Sequence, residues 1–88
     1  MSAVTDHTTT IRVLLFASYA ERLGHDVLDI SVPPGATVGR VLELLRALPG
    51  GDMLPRHPLC ALNLAQVAPE APVGPGDELA ILPPLAGG

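Results

Sequence analysis

One amphipathic helix is the strongest pattern in this chain of 88 residues. Thr37 can cap its start, and apolar residues then recur at the i, i+3, i+4, i+7 and i+10 spacing of one helical face: Val38, Val41, Leu42, Leu45 and Leu48. No other segment of the sequence carries a stripe of this length. Because one helix can cover only one side of a sheet, the chain is restricted to folds in which a single main helix packs on one face.

Four extended segments accompany this helix. β-branched and alternating apolar residues predict strands over residues 11–17, 26–32, 59–67 and 78–82, with Asn63 as a turn that divides the third into two short strands. A helical turn ended by Gly24 is predicted over residues 18–23, and a surface loop over residues 49–58, where Gly50-Gly51 ends the main helix. This order predicts an α+β fold with a mixed sheet, in which the first and last strands can be neighbours.

Composition limits the chain to one domain and excludes two classes of partner. A chain of 88 residues has room for one core, which we expect over residues 11–82, between a flexible leader (residues 1–10) and an extended tail (residues 83–88). Nine acidic residues against five arginines, with no lysine, leave a net charge of -4 and no basic surface for nucleic acid or an anionic membrane. No stretch approaches the roughly 20 apolar residues of a membrane-spanning helix. A single cysteine excludes a disulfide framework within the chain. We therefore expect a cytoplasmic protein.

Side-chain chemistry is not indicated in this domain. His7, His25 and His57 are widely spaced and have no pair of cysteines to join them, so we predict no metal site. Cys60 lies in an apolar strand without a basic neighbour, which is typical of a buried, unreactive thiol. The sequence also lacks a nucleophile elbow and a glycine-rich phosphate loop.

The C-terminal segment is the candidate for chemistry. Pro83-Pro84 cannot extend the last strand and favours an extended backbone, and the uncharged residues Leu85, Ala86, Gly87 and Gly88 follow. Six residues span at most about 20 Å, and glycine can pass a narrow channel because it lacks a Cβ. The expected reactive group is the α-carboxylate of Gly88. It becomes electrophilic when AMP from ATP converts it to a mixed anhydride, which a sulfur nucleophile can then attack.

A docking surface is predicted beside this tail. Side-chain alternation places Leu14 and Phe16 of the first strand, and Ala80 and Leu82 of the last, on the face away from the main helix. If the two strands are neighbours, these residues form one exposed apolar patch of the kind that marks partner surfaces. The alternative is that a second layer, such as the leader, covers the patch.

These features together resemble the MoaD/ThiS sulfur-carrier proteins, whose fold is the ubiquitin-like β-grasp. The resemblance covers residues 11–88. It rests on the opening strand, the helix start Thr37-Val38 with Leu42 and Leu45, the Asn63 turn, and above all residues 76–88, which end in Pro-Pro-x-x-Gly-Gly. Within the family this ending is more similar to that of MoaD, the small subunit of molybdopterin synthase, than to that of the thiamine carrier.

The resemblance implies a sulfur carrier that acts as a co-substrate of a larger synthase subunit, is not itself a complete enzyme and holds no cofactor. A MoeB-like enzyme would adenylate Gly88, and the carboxylate would become a thiocarboxylate. A MoaE-like large subunit would then use this sulfur to build the dithiolene of molybdopterin from cyclic pyranopterin monophosphate. Residues 83–87 would be the inserted tail, and Phe16 and Leu82 part of the docking surface. The alternatives are a ThiS-like or other sulfur carrier, a ubiquitin-like modifier of target lysines, and an interaction module whose glycine end has no role.

Overall fold

Five strands form one mixed sheet in the computed structural model, which describes residues 8–84. The elements along the chain are β1 (Thr9–Leu15), α1 (Ala17–Leu23), β2 (Val27–Val32), α2 (Val38–Arg46), a 3-10 turn (Gly51–Met53), β3 (Leu59–Leu62), β4 (Ala65–Gln66) and β5 (Glu78–Leu82). The order across the sheet is β2-β1-β5-β3-β4. The central pair, β1 and β5, is parallel, and the other neighbouring pairs are antiparallel. The predicted α+β fold and the predicted contact between the first and last strands are confirmed.

The core lies between α2 and one face of the sheet. Thr37 caps α2 as predicted, and the buried side chains of the helix join alternate residues of the central strands in one cluster: Val38, Val41, Leu42, Leu45, Ile11, Val13, Leu15, Leu79 and Ile81. Full burial of one such side chain contributes about 1.5–3 kcal/mol. Leu48, the last predicted member of the stripe, is 36% exposed because α2 ends at Arg46. Leu48 precedes a proline, and that position disfavours helical backbone.

The bounds of β1 differ from the prediction at both ends. Thr9 and Thr10, the last residues of the predicted leader, pair with β2 and belong to the sheet. Threonine is β-branched and suits extended backbone, a preference that the polar character of the Thr8-Thr9-Thr10 run conceals. At its other end β1 stops at Leu15, because Phe16 already serves as the residue before α1.

Two segments contribute more to the core than the sequence pattern predicts. Residues 17–23 form a helix of seven residues rather than a single turn, and Tyr19 and Leu23 on it are buried. It ends at Gly24 in left-handed backbone, as predicted. In the predicted surface loop, Gly51 and Leu54 are buried, because the loop folds against both helices. Within the described part of the chain, no helix is long and apolar enough to cross a bilayer.

Candidate functional site

The sheet face opposite the core carries an apolar cluster. Val13 and Leu79 are fully buried in the core, so the adjacent residues Leu14 and Ala80, which are partners across β1 and β5, point to the other side. The backbone of Phe16 is extended, so its side chain also points outward, and it is 43% exposed. Leu82 follows on β5 and is half-buried. The structure therefore brings together the four residues predicted for the partner interface, and their role in binding remains a prediction.

Strand pairing extends this cluster beyond the predicted residues. Val27 lies opposite Leu14, and it is 46% exposed. On the other side, β3 adds two outward residues, and the whole set, called here the outer-face cluster, is Leu14, Phe16, Val27, Leu59, Ala61, Ala80 and Leu82. Val27 and Leu59 were not among the residues predicted for this surface. Their contact with the predicted patch depends on the strand order, which alternation alone does not reveal.

The opposite end of the same face is charged. Arg12 is aligned with Asp29 on β2 and with Glu78 on β5, and its Nε lies 4.0 Å from Asp29 Oδ1. These residues and the loop before β5 border a cleft of about 430 Å³. Both side chains of the Arg12–Asp29 pair are mostly exposed, so the pair contributes little stability, of the order of 0–1 kcal/mol. The outer face thus runs from a charged end at the start of β5 to an apolar end where β5 finishes.

The tail begins at the apolar end of this face. β5 ends at Leu82, and the backbone continues through Pro83, which is half-buried, and Pro84, which is exposed. Leu85, Ala86, Gly87 and Gly88, which were predicted to complete the tail, lie outside the described residues. What the structure establishes is the starting point of the tail: it leaves the body next to Leu82 of the outer-face cluster.

The start of β5 is fixed by a hydrogen-bonded link to the β3–β4 turn. The Glu78 backbone N–H donates to Asn63 Oδ1 at 3.0 Å, and the Asn63 amide Nδ2 donates to Asp77 Oδ1 at the same distance. The Gly74 N–H donates to the other oxygen of Asp77 at 2.7 Å. The two hydrogen bonds to the Asp77 carboxylate hold its pKa below the usual value, and the bond from Asn63 has the larger effect. Asn63 has a φ of 50°, which agrees with its predicted place in a turn. The start of the strand that carries the tail is therefore fixed to the β3–β4 turn.

Neither the single cysteine nor a group of metal-binding side chains forms a reactive site in the described residues. Cys60 is 3% exposed, and burial raises the pKa of its thiol to about 11. Its Sγ donates to the Pro58 carbonyl, 3.6 Å away. The prediction of a buried thiol is confirmed. Within residues 8–84 no three histidine, cysteine or acidic side chains stand close enough to hold a metal ion, and the absence of a bound metal remains a prediction.

The fold and the open sheet face define the class of the protein. The ubiquitin-like β-grasp has one main helix on a single face of a mixed sheet. Its first and last strands are parallel neighbours in the middle of that sheet, as β1 and β5 are here. Among solved structures, the chain is similar to SAMP1 from Haloferax volcanii, with a TM-score of 0.78 and 32% identity over 90% of this chain and 99% of the other. It shares its fold with a ubiquitin of Caldiarchaeum subterraneum, with a TM-score of 0.63 and 21% identity over 92% of this chain and 99% of the other. The predicted β-grasp is confirmed.

Residues 13–88 match the model of the ThiS family, and the chain belongs to that family. It is also 38% identical over 79 residues to the molybdopterin synthase sulfur carrier subunit of Arabidopsis thaliana, which covers 89% of this chain and 82% of the relative. The family resemblance found in the sequence is confirmed, and these relatives support the prediction of a sulfur carrier.

Proposed function

We propose that this chain is the small, sulfur-carrying subunit of a molybdopterin synthase, and that it carries sulfur as a thiocarboxylate on Gly88. The observation that supports this most directly is the junction at the end of β5. There the strand finishes inside an exposed apolar cluster and continues into Pro83-Pro84, with Gly87-Gly88 at the end of the sequence. The proposed docking surface, which is the outer-face cluster, and the C-terminal tail thus meet at the end of β5.

The chemistry of the proposal takes place on the backbone. The Gly88 carboxylate attacks the α-phosphorus of ATP, which releases pyrophosphate and leaves an acyl-adenylate. A hydrosulfide equivalent then adds to the acyl carbon and expels AMP, which leaves a thiocarboxylate. A MoeB-like enzyme would carry out the adenylation. In the large, MoaE-like subunit two such thiocarboxylates, one after the other, would each give one sulfur to cyclic pyranopterin monophosphate to form the dithiolene, and water would restore the Gly88 carboxylate each time. The chain is then a co-substrate of that subunit rather than an enzyme.

The body of the chain has two tasks in this scheme. Six residues from Pro83 onward span at most about 20 Å, so the body must come close to the partner before the terminus can reach a buried site. The outer-face cluster supplies the contact area, and Phe16, as an exposed aromatic near its end, suits an anchoring position. The Asn63 link holds β5, so that docking of the body also determines where the tail begins.

A second candidate is a ubiquitin-like protein modifier, which the 32% identity to SAMP1 favours. In that case an activated Gly88 would be attacked by a lysine amine of a target protein, with an amide as the product. The sequence has no lysine, so copies of this protein could not be joined to one another through their own lysine side chains. A carrier for thiamine or another sulfur-containing product would share the thiocarboxylate and differ in the protein that accepts the sulfur.

Intact-mass measurement of the C-terminal peptide separates these candidates. The chain is incubated with an adenylating enzyme, ATP and a sulfur donor, and then with the large synthase subunit and cyclic pyranopterin monophosphate. We expect one oxygen at Gly88 to be exchanged for sulfur and molybdopterin to form. Leu64→Ala, at a side chain that is 95% exposed on the β3–β4 turn, is the matched control and should behave as the wild type.

Deletion of Gly88 should abolish both signals. Molybdopterin formation by the deletion variant would contradict the proposal. Thiocarboxylate formation without transfer to the pterin would indicate a carrier for another product. Amide adducts with a lysine peptide, formed in place of the thiocarboxylate, would favour the modifier.

A further inference from the structure

A groove lies beside the base of the tail, at the edge of the outer-face cluster. Its volume is about 340 Å³, and it is lined by Tyr19 of α1, by loop residues and by the ends of β3 and β5: Pro55, His57, Pro58, Leu59, Leu82 and Pro84. Leu59 and Leu82 also belong to the outer-face cluster. A protein that covers the cluster and accepts the tail must therefore lie over this groove.

The loop wall of the groove is held in place by the core. Arg46 Nη1 donates to the Pro55 carbonyl at 3.2 Å, and the Cys60 thiol bonds the Pro58 carbonyl. Leu54, which begins this part of the loop, is only 4% exposed. The two prolines restrict the backbone between these anchors. The groove is thus formed before any ligand arrives, which lowers the entropic cost of filling it.

Tyr19 places an unused hydrogen-bond donor in this groove. The residue is 4% exposed, and its hydroxyl makes no hydrogen bond with any other residue of the described segment. Burial, together with the nearby Cys60, raises the pKa of Tyr19 above its usual value, so the hydroxyl remains protonated at neutral pH. Because Tyr19 lines an open groove, a ligand that brings an acceptor oxygen there can replace solvent at this hydroxyl.

The charge beside the groove determines which acceptor suits it. None of the lining residues is acidic. Arg56 is exposed, stands between two lining residues, and takes no part in the ion pairs found among residues 8–84. A carboxylate suits this groove best, because it can accept from the phenolic donor and is attracted by the positive charge that Arg56 places next to the lining residues Pro55 and His57.

Resting on the proposed function, we infer that the groove receives a segment of the protein that accepts the tail. This segment places an apolar side chain against Leu82 and a carboxylate at the Tyr19 hydroxyl, beside Arg56. The contact lies at the point where the tail leaves the body, so it fixes the direction in which the tail enters the partner.

Binding of the full chain to the large synthase subunit of the same organism, measured by titration calorimetry, tests the inference. Tyr19→Phe removes the hydroxyl and keeps the ring, and we expect it to raise Kd about tenfold or more, as for a lost hydrogen bond to a charged group. Because the hydroxyl has no partner within the described chain, this variant should fold as stably as the wild type. Arg56→Glu should raise Kd by about tenfold as well. Arg40→Glu makes the same charge change on the exposed side of α2 and should leave Kd within about twofold of the wild type.

Leu14→Asp separates failure of the inference from failure of the proposed function. If Leu14→Asp weakens binding while Tyr19→Phe and Arg56→Glu do not, the groove is unoccupied and the inference is wrong, but docking through the outer-face cluster is supported. If Leu14→Asp has no effect either, docking through the outer face is itself wrong. A photo-crosslinking residue at position 57 identifies the occupant. An apolar residue of the large subunit close in sequence to Asp or Glu supports the inference, and a basic segment overturns it.

Discussion

Gly50→Ala tests whether the internal glycine pair serves close packing between the two helices. Gly50 has a φ of 85°, and alanine in left-handed backbone costs about 1–2 kcal/mol. A Cβ at this position would also fall well inside contact distance of the Arg22 carbonyl oxygen and 2.9 Å from the carbonyl carbon. Carbon atoms normally pack about 3.5–4.0 Å apart. The end of α1 must therefore move away from the loop, and overpacking of this kind costs about 1–3 kcal/mol.

The expected loss is thus about 2–5 kcal/mol, against a total unfolding free energy of about 4–13 kcal/mol for a domain of this length. Two other glycines separate the contributions. Gly24→Ala has the same backbone conformation, with a φ of 80°, but no atom within 4 Å of the added Cβ, so it should lose about 1–2 kcal/mol. Gly51→Ala meets the Leu45 carbonyl group without a left-handed φ and should lose about 1–3 kcal/mol.

Urea unfolding, followed by circular dichroism at a helix wavelength, gives the free energies at zero denaturant. Equal losses for Gly50→Ala and Gly24→Ala would refute the packing argument, because only the conformational cost would then remain. Deletion of Gly88 provides the functional contrast. It should abolish sulfur transfer under the proposed function, while Gly24→Ala should leave transfer intact in the folded fraction.

Two further predictions concern titratable groups. At pH 8 Cys60 should react with a thiol reagent at least about a hundredfold more slowly in the native protein than in denaturant. The reason is that a pKa of about 11 leaves roughly one Cys60 side chain in a thousand as the thiolate. Comparable rates in the two states would show that the thiol is accessible. The lowered pKa of Asp77 stabilises the folded state above the usual pKa of an aspartate, and this contribution is lost as the pH falls through the lowered value. The unfolding free energy of the wild type should therefore fall more steeply below about pH 4 than that of Asp77→Asn, and identical acid profiles would contradict the assigned hydrogen bonds.

Local patterns were sufficient to place most elements of the fold. The stripe on α2 predicted which of its side chains are buried, and the bounds of β5 agree with the structure residue for residue. The errors lie where a local signal was ambiguous. Thr9 and Thr10 read as a polar leader until the pairing with β2 gives their backbone a partner. The loop after α2 read as surface, although Leu54 is drawn into the core.

Only part of the candidate site could be predicted from local patterns. Alternation showed that Leu14 and Ala80 face away from the main helix, and residue chemistry singled out the glycine end. Neither could show that Val27 and Leu59 complete the same cluster, since these residues reach it only through the pairing of β2 and β3 with the central strands. The groove could not be foreseen at all, because its walls come from α1, a loop and two strand ends that are distant in the chain.

Residue periodicity reports whether a position is buried, because side-chain direction repeats every two residues in a strand and about every 3.6 in a helix. That information, with the chemistry of the last residues, lies in the order of the amino acids and led to the family. Which strands become neighbours depends on contacts between segments far apart along the chain, and these form only when the core closes. The parallel pairing of β1 with β5 is such a contact. It joins the outer-face cluster to the base of the tail, and it decides where the groove lined by Tyr19 lies.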